Sequence, residues 1–111
     1  MRIDLTAPDE VTVPHMNGGN GEVAARMSVN EHGRFILCRI PPGASIGLHV
    51  QESGNDVNYV ISGVGLALCN GEEEELRPGV CHVCPRGSSH SIRNIGDEDL
   101  VLFTLVHRAG L

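Results

Sequence analysis

His49 and Gln51 stand two residues apart in "SIGLHVQ", and Asp56 heads the next apolar run, "DVNYVIS". Side chains at i and i+2 of a strand share a face, about 6.6–7 Å apart along it. His49 and Gln51 therefore look the same way, with Ile46, Leu48 and Val50 on the opposite face. In the next run Asp56, Asn58 and Val60 share one face, and Val57, Tyr59 and Ile61 the other. Antiparallel pairing of the two runs would set Asp56 beside His49 and Gln51. The stretch "GVCHVCPRGSSHSIRN", residues 79–94, adds His90 on a further strand. Two imidazoles, a carboxylate and an amide on one inner face suit a divalent metal, expected to be Fe, Mn, Zn or Ni: neutral imidazole favours the later transition metals, carboxylate oxygen the harder ions. If Asp56 does not ligate, it is the candidate general base.

The elements that must position these groups read as short strands cut by Gly, Pro, Asn and Asp. The expected strands are 11–13, 22–29, 34–40, 46–51, 56–62, 64–69, 73–76, 80–84, 89–94 and 100–106. Asn70-Gly71 between two of them is a type I′ hairpin signal. No sustained helical periodicity follows residue 30. Many short strands at even spacing make an all-β sandwich or barrel.

The chain has 111 residues and a formal charge of −6. That length suits one domain, which buries roughly 65% of its unfolded surface and needs no disulfide staples. The acidic balance, without a basic block, argues against nucleic acid and against anionic membrane surfaces. With Phe35, Tyr59 and Phe103 the only aromatics, a base-stacking platform is not expected. The start, "MRIDLTAPDE", has acids and a proline where a secretory h-region would lie, and no run approaches the ~18 apolar residues of a membrane span. A cytoplasmic chain is expected, with Cys38, Cys69, Cys81 and Cys84 reduced.

The two polar stretches resemble the two motifs of the cupin superfamily. Gly43, His49, Gln51, Asp56 and Gly63 keep every spacing of G-x5-H-x-H-x4-E-x6-G. Gly79, Pro85, Gly87, His90 and Asn94 keep G-x5-P-x-G-x2-H-x3-N without departure. The spacer between them, 64–78, has the short length of small single-domain bacterial cupins. The resemblance implies a jelly-roll β-barrel over 1–111, with N-terminal strands in 1–33 and the barrel proper in 34–111. It implies a metal in the barrel mouth held by His49, Gln51, Asp56 and His90. Gln51 replaces the usual second histidine and Asp56 the usual glutamate, which weakens the set. The expected function is binding of a divalent metal and a small polar metabolite, as a dioxygenase-, decarboxylase- or isomerase-type enzyme. The alternative is a non-catalytic binding or sensing module whose metal site is degenerate or empty.

Other candidates carry less. The run Glu72–Glu75 reads as a solvated hairpin arm, because consecutive carboxylates point to alternate faces. In "CHVC", Cys81 and Cys84 sit in a strand on opposite faces, which suits neither a redox pair nor, with His82, a zinc site. His15, His32 and His107 read as surface or satisfied histidines. Arg39 and Arg93 either meet an anionic substrate or lie on solvated faces. Ile46, Leu48, Val50, Val57, Tyr59 and Ile61 should point out of the barrel. An outward apolar patch marks a partner surface, and the partner expected is a second copy, with the N-terminal strands packed or exchanged across the interface of a homodimer.

Overall fold

Period-two alternation of apolar and polar side chains organises the chain into strands, seen in a computed structural model that describes residues 1–107. The strands are β1 (Val11–Pro14), β2 (Glu22–Asn30), β3 (Gly33–Ile40), β4 (Ser45–Val50), β5 (Asn55–Ser62), β6 (Gly65–Cys69), β7 (Glu72–Leu76), β8 (Cys81–Cys84), β9 (Ser89–Asn94) and β10 (Leu100–His107). Each lies within one residue or so of its expected run. A 3₁₀ turn, Met16–Gly18, was not expected. Among the described residues no helix is long and apolar enough to cross a membrane.

A six-stranded sheet, β1-β2-β3-β10-β5-β8, faces a four-stranded sheet, β4-β9-β6-β7. All pairings are antiparallel. The fold is an all-β cupin-type jelly-roll barrel. The β6–β7 loop is the expected hairpin: Cys69 pairs with Glu72, and Asn70 (φ 49°) and Gly71 (φ 85°) both take the left-handed conformation that a type I′ turn requires.

Two expectations need correction. Strands β4 and β5 do not pair; β4 pairs with β9, and β5 lies between β10 and β8 in the other sheet. The link after Gln51 carries the chain across the barrel, so Asp56 faces β9 and its His90 from the other wall. Ile46 does not point outward. Ile46 pairs with Ile92 and His49 with His90, so β4 spends three steps where β9 spends two. That extra residue is a β-bulge, and it turns both Ile46 and His49 inward. Ile46 packs on the core, while Leu48 and Val50 are exposed.

The interior has an apolar end and a polar end. Val23, Cys38, Ile40, Val60, Ala67, Leu76, Ile92, Leu100 and Leu102 fill the first. Along β10 and its neighbours the inward ranks then change character: Leu102 beside Val60 gives way to Thr104, Asn58 and His82, then to Val106, Asp56 and Cys84. In the facing sheet, Ala67, Ile92 and Ile46 give way to Cys69, His90 and His49.

Buried Asn94 closes the apolar end. Its Nδ2 donates to the Ile40 and Glu98 carbonyls at 2.8 and 2.7 Å, and its Oδ1 accepts from Gly96 N at 2.8 Å. Truncation strands all three backbone groups, each costing about 1–3 kcal/mol when left unpaired. Asn94→Ala should lower the unfolding free energy by about 2–4 kcal/mol in a urea titration, given that water replaces part of what is lost; a loss well under about 1 kcal/mol would refute the clamp.

The cysteines are free, with Cys38, Cys69 and Cys84 buried and Cys81 exposed. Burial first, then the Asp56 charge, pushes the Cys38 thiol from 9.0 up to about 12. Burial, the neighbouring Cys69 and Asp56 do the same for Cys84. Only the thiolate is nucleophilic, so iodoacetamide at pH 8 should label Cys81 quickly and the other three only after unfolding, read by peptide mass spectrometry. Rapid labelling of Cys84 in the native chain would contradict this packing. The sign for stability follows. Below pH 9 these thiols are protonated in both states and their contribution is fully present. It drains as pH rises toward about 12, because the unfolded chain ionises first.

Candidate metal and ligand site at the barrel mouth

His49 and His90 are direct cross-strand partners on β4 and β9, with ring centroids 4.7 Å apart and planes tilted by 59°. His49 Nδ1 lies 2.8 Å from its own strand's Gly47 carbonyl, which can only accept. Nδ1 therefore donates and Nε2 keeps its lone pair. The bulge makes this contact possible, and Gly47 is required there: a Cβ would fall 2.2 Å from the Asn17 carbonyl of the 3₁₀ turn. The unexpected turn thus braces the strand segment that carries His49.

Asp56 approaches from the opposite sheet. Its Oδ1 accepts from Asn58 Nδ2 at 3.3 Å, and Asn58 Oδ1 in turn accepts from Thr104 Oγ1 at 2.7 Å. All three side chains are buried. This leaves Oδ2 free, 3.1 Å from His90 Nε2. The distance invites an ion pair, yet the direction is wrong for a hydrogen bond, and His90 Nε2 is a fully buried nitrogen without a hydrogen-bond partner. Among the described residues Nε2 is therefore left without a partner beside the carboxylate.

The residues fit a divalent ion in donor chemistry. Both imidazoles are anchored through Nδ1 and bare at Nε2, the arrangement in which metal-bound histidines are held. His90 Nε2 and Asp56 Oδ2 stand 3.1 Å apart, a nitrogen and an oxygen donor side by side that would hold such an ion together. The fit stops short of a closed shell, since among the described residues no three His, Cys, Asp or Glu side chains gather tightly enough to hold an ion as they stand. Gln51 is buried at the end of β4, but its Nε2 turns to Ser53 Oγ at 3.5 Å.

Three residues not chosen from the sequence belong to this region. His82, weighed there only with its flanking cysteines, is completely buried, and its Nε2 is 2.9 Å from His90 Nδ1. Its Nδ1 is 2.7 Å from Glu74 Oε1, so the glutamate run is not solvated throughout. The signals were present: Glu74 is two residues from buried Leu76 and His82 two from buried Cys84. Arg34 is the third. It shares an inward rank with Val106 and Asp56 on successive strands. With Val29, Gly33, Ser53 and Val106 it lines a cavity of about 170 Å³ at the Asp56 end of the barrel, and its Nη2 donates to Ser53 Oγ at 2.8 Å.

Arg39 and Arg93 take no part. Arg39 pairs with Glu10 and Asp99 on the outer face, and Arg93 is exposed outside the four-stranded sheet. His15 stays in its own turn against the Gly19 carbonyl, and His32 is exposed beside Glu31. In "CHVC" the two cysteines do face opposite ways.

The model of the cupin domain matches residues 36–106. An oxalate-binding protein of Thermotoga maritima is 31% identical over 100 residues, covering 85% of this chain and 83% of its own. The crystal structure of a predicted oxalate decarboxylase from Thermotoga maritima superposes with a TM-score of 0.89 at 27% identity, over 98% of this chain and all of that one. KdgF from Halomonas sp. shares the fold at a TM-score of 0.74 and 19% identity, over 92% of this chain and 88% of its own. With the matched residues spanning both sheets and every strand of the mouth, the chain belongs to the cupin family.

Proposed function

We propose that this cupin binds a divalent metal at the barrel mouth through His49, Gln51, Asp56 and His90, and on it a small dicarboxylate of the oxalate class. The observation that carries the reading is His90 Nε2, buried and without a hydrogen-bond partner among the described residues, 3.1 Å from Asp56 Oδ2 on a ring 4.7 Å from that of His49. An unpaired buried polar atom is costly, and a metal would satisfy it. The oxalate class is supported by the 31% identical relative's name and by Arg34 on the inner rank at the mouth. A guanidinium there offers the planar fork that carboxylates accept. The bound ion would supply Lewis acidity and open positions for the anion. Asp56, fixed by Asn58 and adjacent to His90 Nε2, serves as ligand rather than as a general base. The second reading, a metal-free binding module, is favoured by the incomplete donor shell.

The partner we propose is a second copy. The outer face of the six-stranded sheet carries Tyr59, Phe103 and Leu37 in one row and Val57, Leu105 and Phe35 in the next. Tyr59 and Ile61 remain 45% and 47% exposed, and the Phe35 and Phe103 rings stand 6.5 Å apart. A two-fold axis through such a face lays like row on like row, burying it on itself. In this reading residues 1–33, with β1 at the edge of the same sheet, lie at the margin of the interface, within a single domain of 1–111 of a cytoplasmic protein.

Titration calorimetry separates the readings. Protein loaded with Mn(II) should bind oxalate, and chelator-stripped protein and His90→Ala should not. Equal binding with and without metal would establish the metal-free module instead, and silence from all samples would dismiss oxalate. Arg34→Met in the loaded protein should weaken oxalate roughly 10-fold or more, the loss of one charged hydrogen-bonding partner. Light scattering on the size-exclusion peak should give twice the 11.9 kDa chain mass, and Tyr59→Glu should return it to one. A monomeric wild type at micromolar concentration would rule the dimer out.

A further inference from the structure

We propose that Glu74 and His82 form a buried orienting chain that locks His90 in its Nδ1–H tautomer and so aims a bare Nε2 lone pair into the mouth. Its consequence for metal affinity rests on the reading above; the tautomer itself does not.

Glu74 sits on β7 with its side chain 43% exposed, so an ionised carboxylate keeps access to water and can only accept. His82 Nδ1, 2.7 Å away, must therefore donate. His82 is entirely buried, and a second proton would place a full charge in the interior beside another imidazole. The neutral ring has spent its one N–H on Glu74, so Nε2 is an acceptor. At 2.9 Å from it, His90 Nδ1 must be the donor. That assignment leaves Nε2 of His90 without a proton.

The opposite polarity makes a testable contrast. If His82 donated toward His90, the proton of His90 would sit on Nε2 and should point at Asp56 Oδ2, which is 3.1 Å away. The ring is not turned to make that bond. The two rings lie nearly parallel, 26° apart with centroids 5.2 Å from each other, and β7, β8 and β9 each supply one member. Glu74 and His82 touch neither the mouth nor a ligand in it. They are positioning residues, acting through His90. The charged group that faces His90 from the six-stranded sheet is Asp56, with Oδ2 3.1 Å from His90 Nε2.

The test uses the full chain. Nitrogen-15 NMR of metal-free protein should show His90 with a pyrrole-like Nδ1 and a pyridine-like Nε2. His82→Phe, which keeps volume but breaks the chain, and Glu74→Ala, at a half-exposed position, should let His90 populate the other tautomer. His82→Gln should restore the wild-type pattern, because an amide both donates to Glu74 and accepts from His90. Co(II) alone, titrated against a competing chelator, should bind about 10–100-fold more weakly to His82→Phe and recover in His82→Gln, the range for loss of a ligand's outer partner. A wild-type His90 protonated at Nε2, or variants that leave its tautomer unchanged, would overturn the proposal. Wild type that shows the expected tautomer but takes up no Co(II) would uphold the orienting chain and remove the metal reading.

Discussion

One nitrogen governs the site. His90 is buried, held firmly at Nδ1 and bare at Nε2, inside a shell where an unpaired polar atom is expensive. Everything at the polar end of the barrel is arranged around that asymmetry. His82 and Glu74 fix the ring from one side, and Asn58 and Thr104 hold the Asp56 carboxylate from the other. His90 and Asp56 themselves stand on different sheets. The spacing between His90 and Asp56 is therefore set by how the sheets pack, and that packing is set by the apolar ranks at the closed end. Leu76, Leu100, Leu102, Ile40 and Ile92 are fully buried there and have no slack. A core residue far from the mouth thus fixes a distance at the mouth.

The bulge in β4 is the second constraint. Regular alternation would put Ile46 and His49 on opposite faces. One extra residue puts both inside, so a single strand contributes an apolar contact to the core and an imidazole to the mouth. Gly47 lies within it, pressed against the 3₁₀ turn, with its carbonyl used to anchor His49. The bulge, the turn and the orientation of His49 form one unit, and a side chain at residue 47 would disturb all three.

This explains what the sequence could and could not disclose. Period-two spacing tells which side chains share a face, and it placed Asp56 with Asn58 and Val60, and Tyr59 with Ile61, correctly. The Asn70-Gly71 turn was legible because its two left-handed residues are a local demand. Period alone does not say which strand is the neighbour. The link after Gln51 changes sheets, so Asp56 faces β9 across the barrel and meets His90 at 3.1 Å rather than lying beside His49 on a paired strand. Nor does spacing reveal a bulge, whose extra residue reverses the alternation, and Ile46 was misplaced for that reason. His82 and Glu74 were obscured by their surroundings: one sat inside a cysteine motif that drew the chemistry to its sulfurs, the other inside a run of identical charges. Asking which residue in each run shares a face with a buried aliphatic would have separated Glu74 from its neighbours.

The departures from the family pattern at residues 51 and 56 gain meaning from this frame. A shorter carboxylate on β5 reaches less far toward the opposite sheet, yet Asp56 still comes within 3.1 Å of His90 Nε2 because Asn58 and Thr104 on its own sheet hold it forward. Gln51 has no such support; it binds Ser53, which Arg34 also engages. The amide, just beyond the end of β4, is therefore linked to the Arg34 guanidinium through the shared Ser53 hydroxyl. Gln51, Ser53 and Arg34 therefore form one connected group, and a change at any of the three reaches the other two.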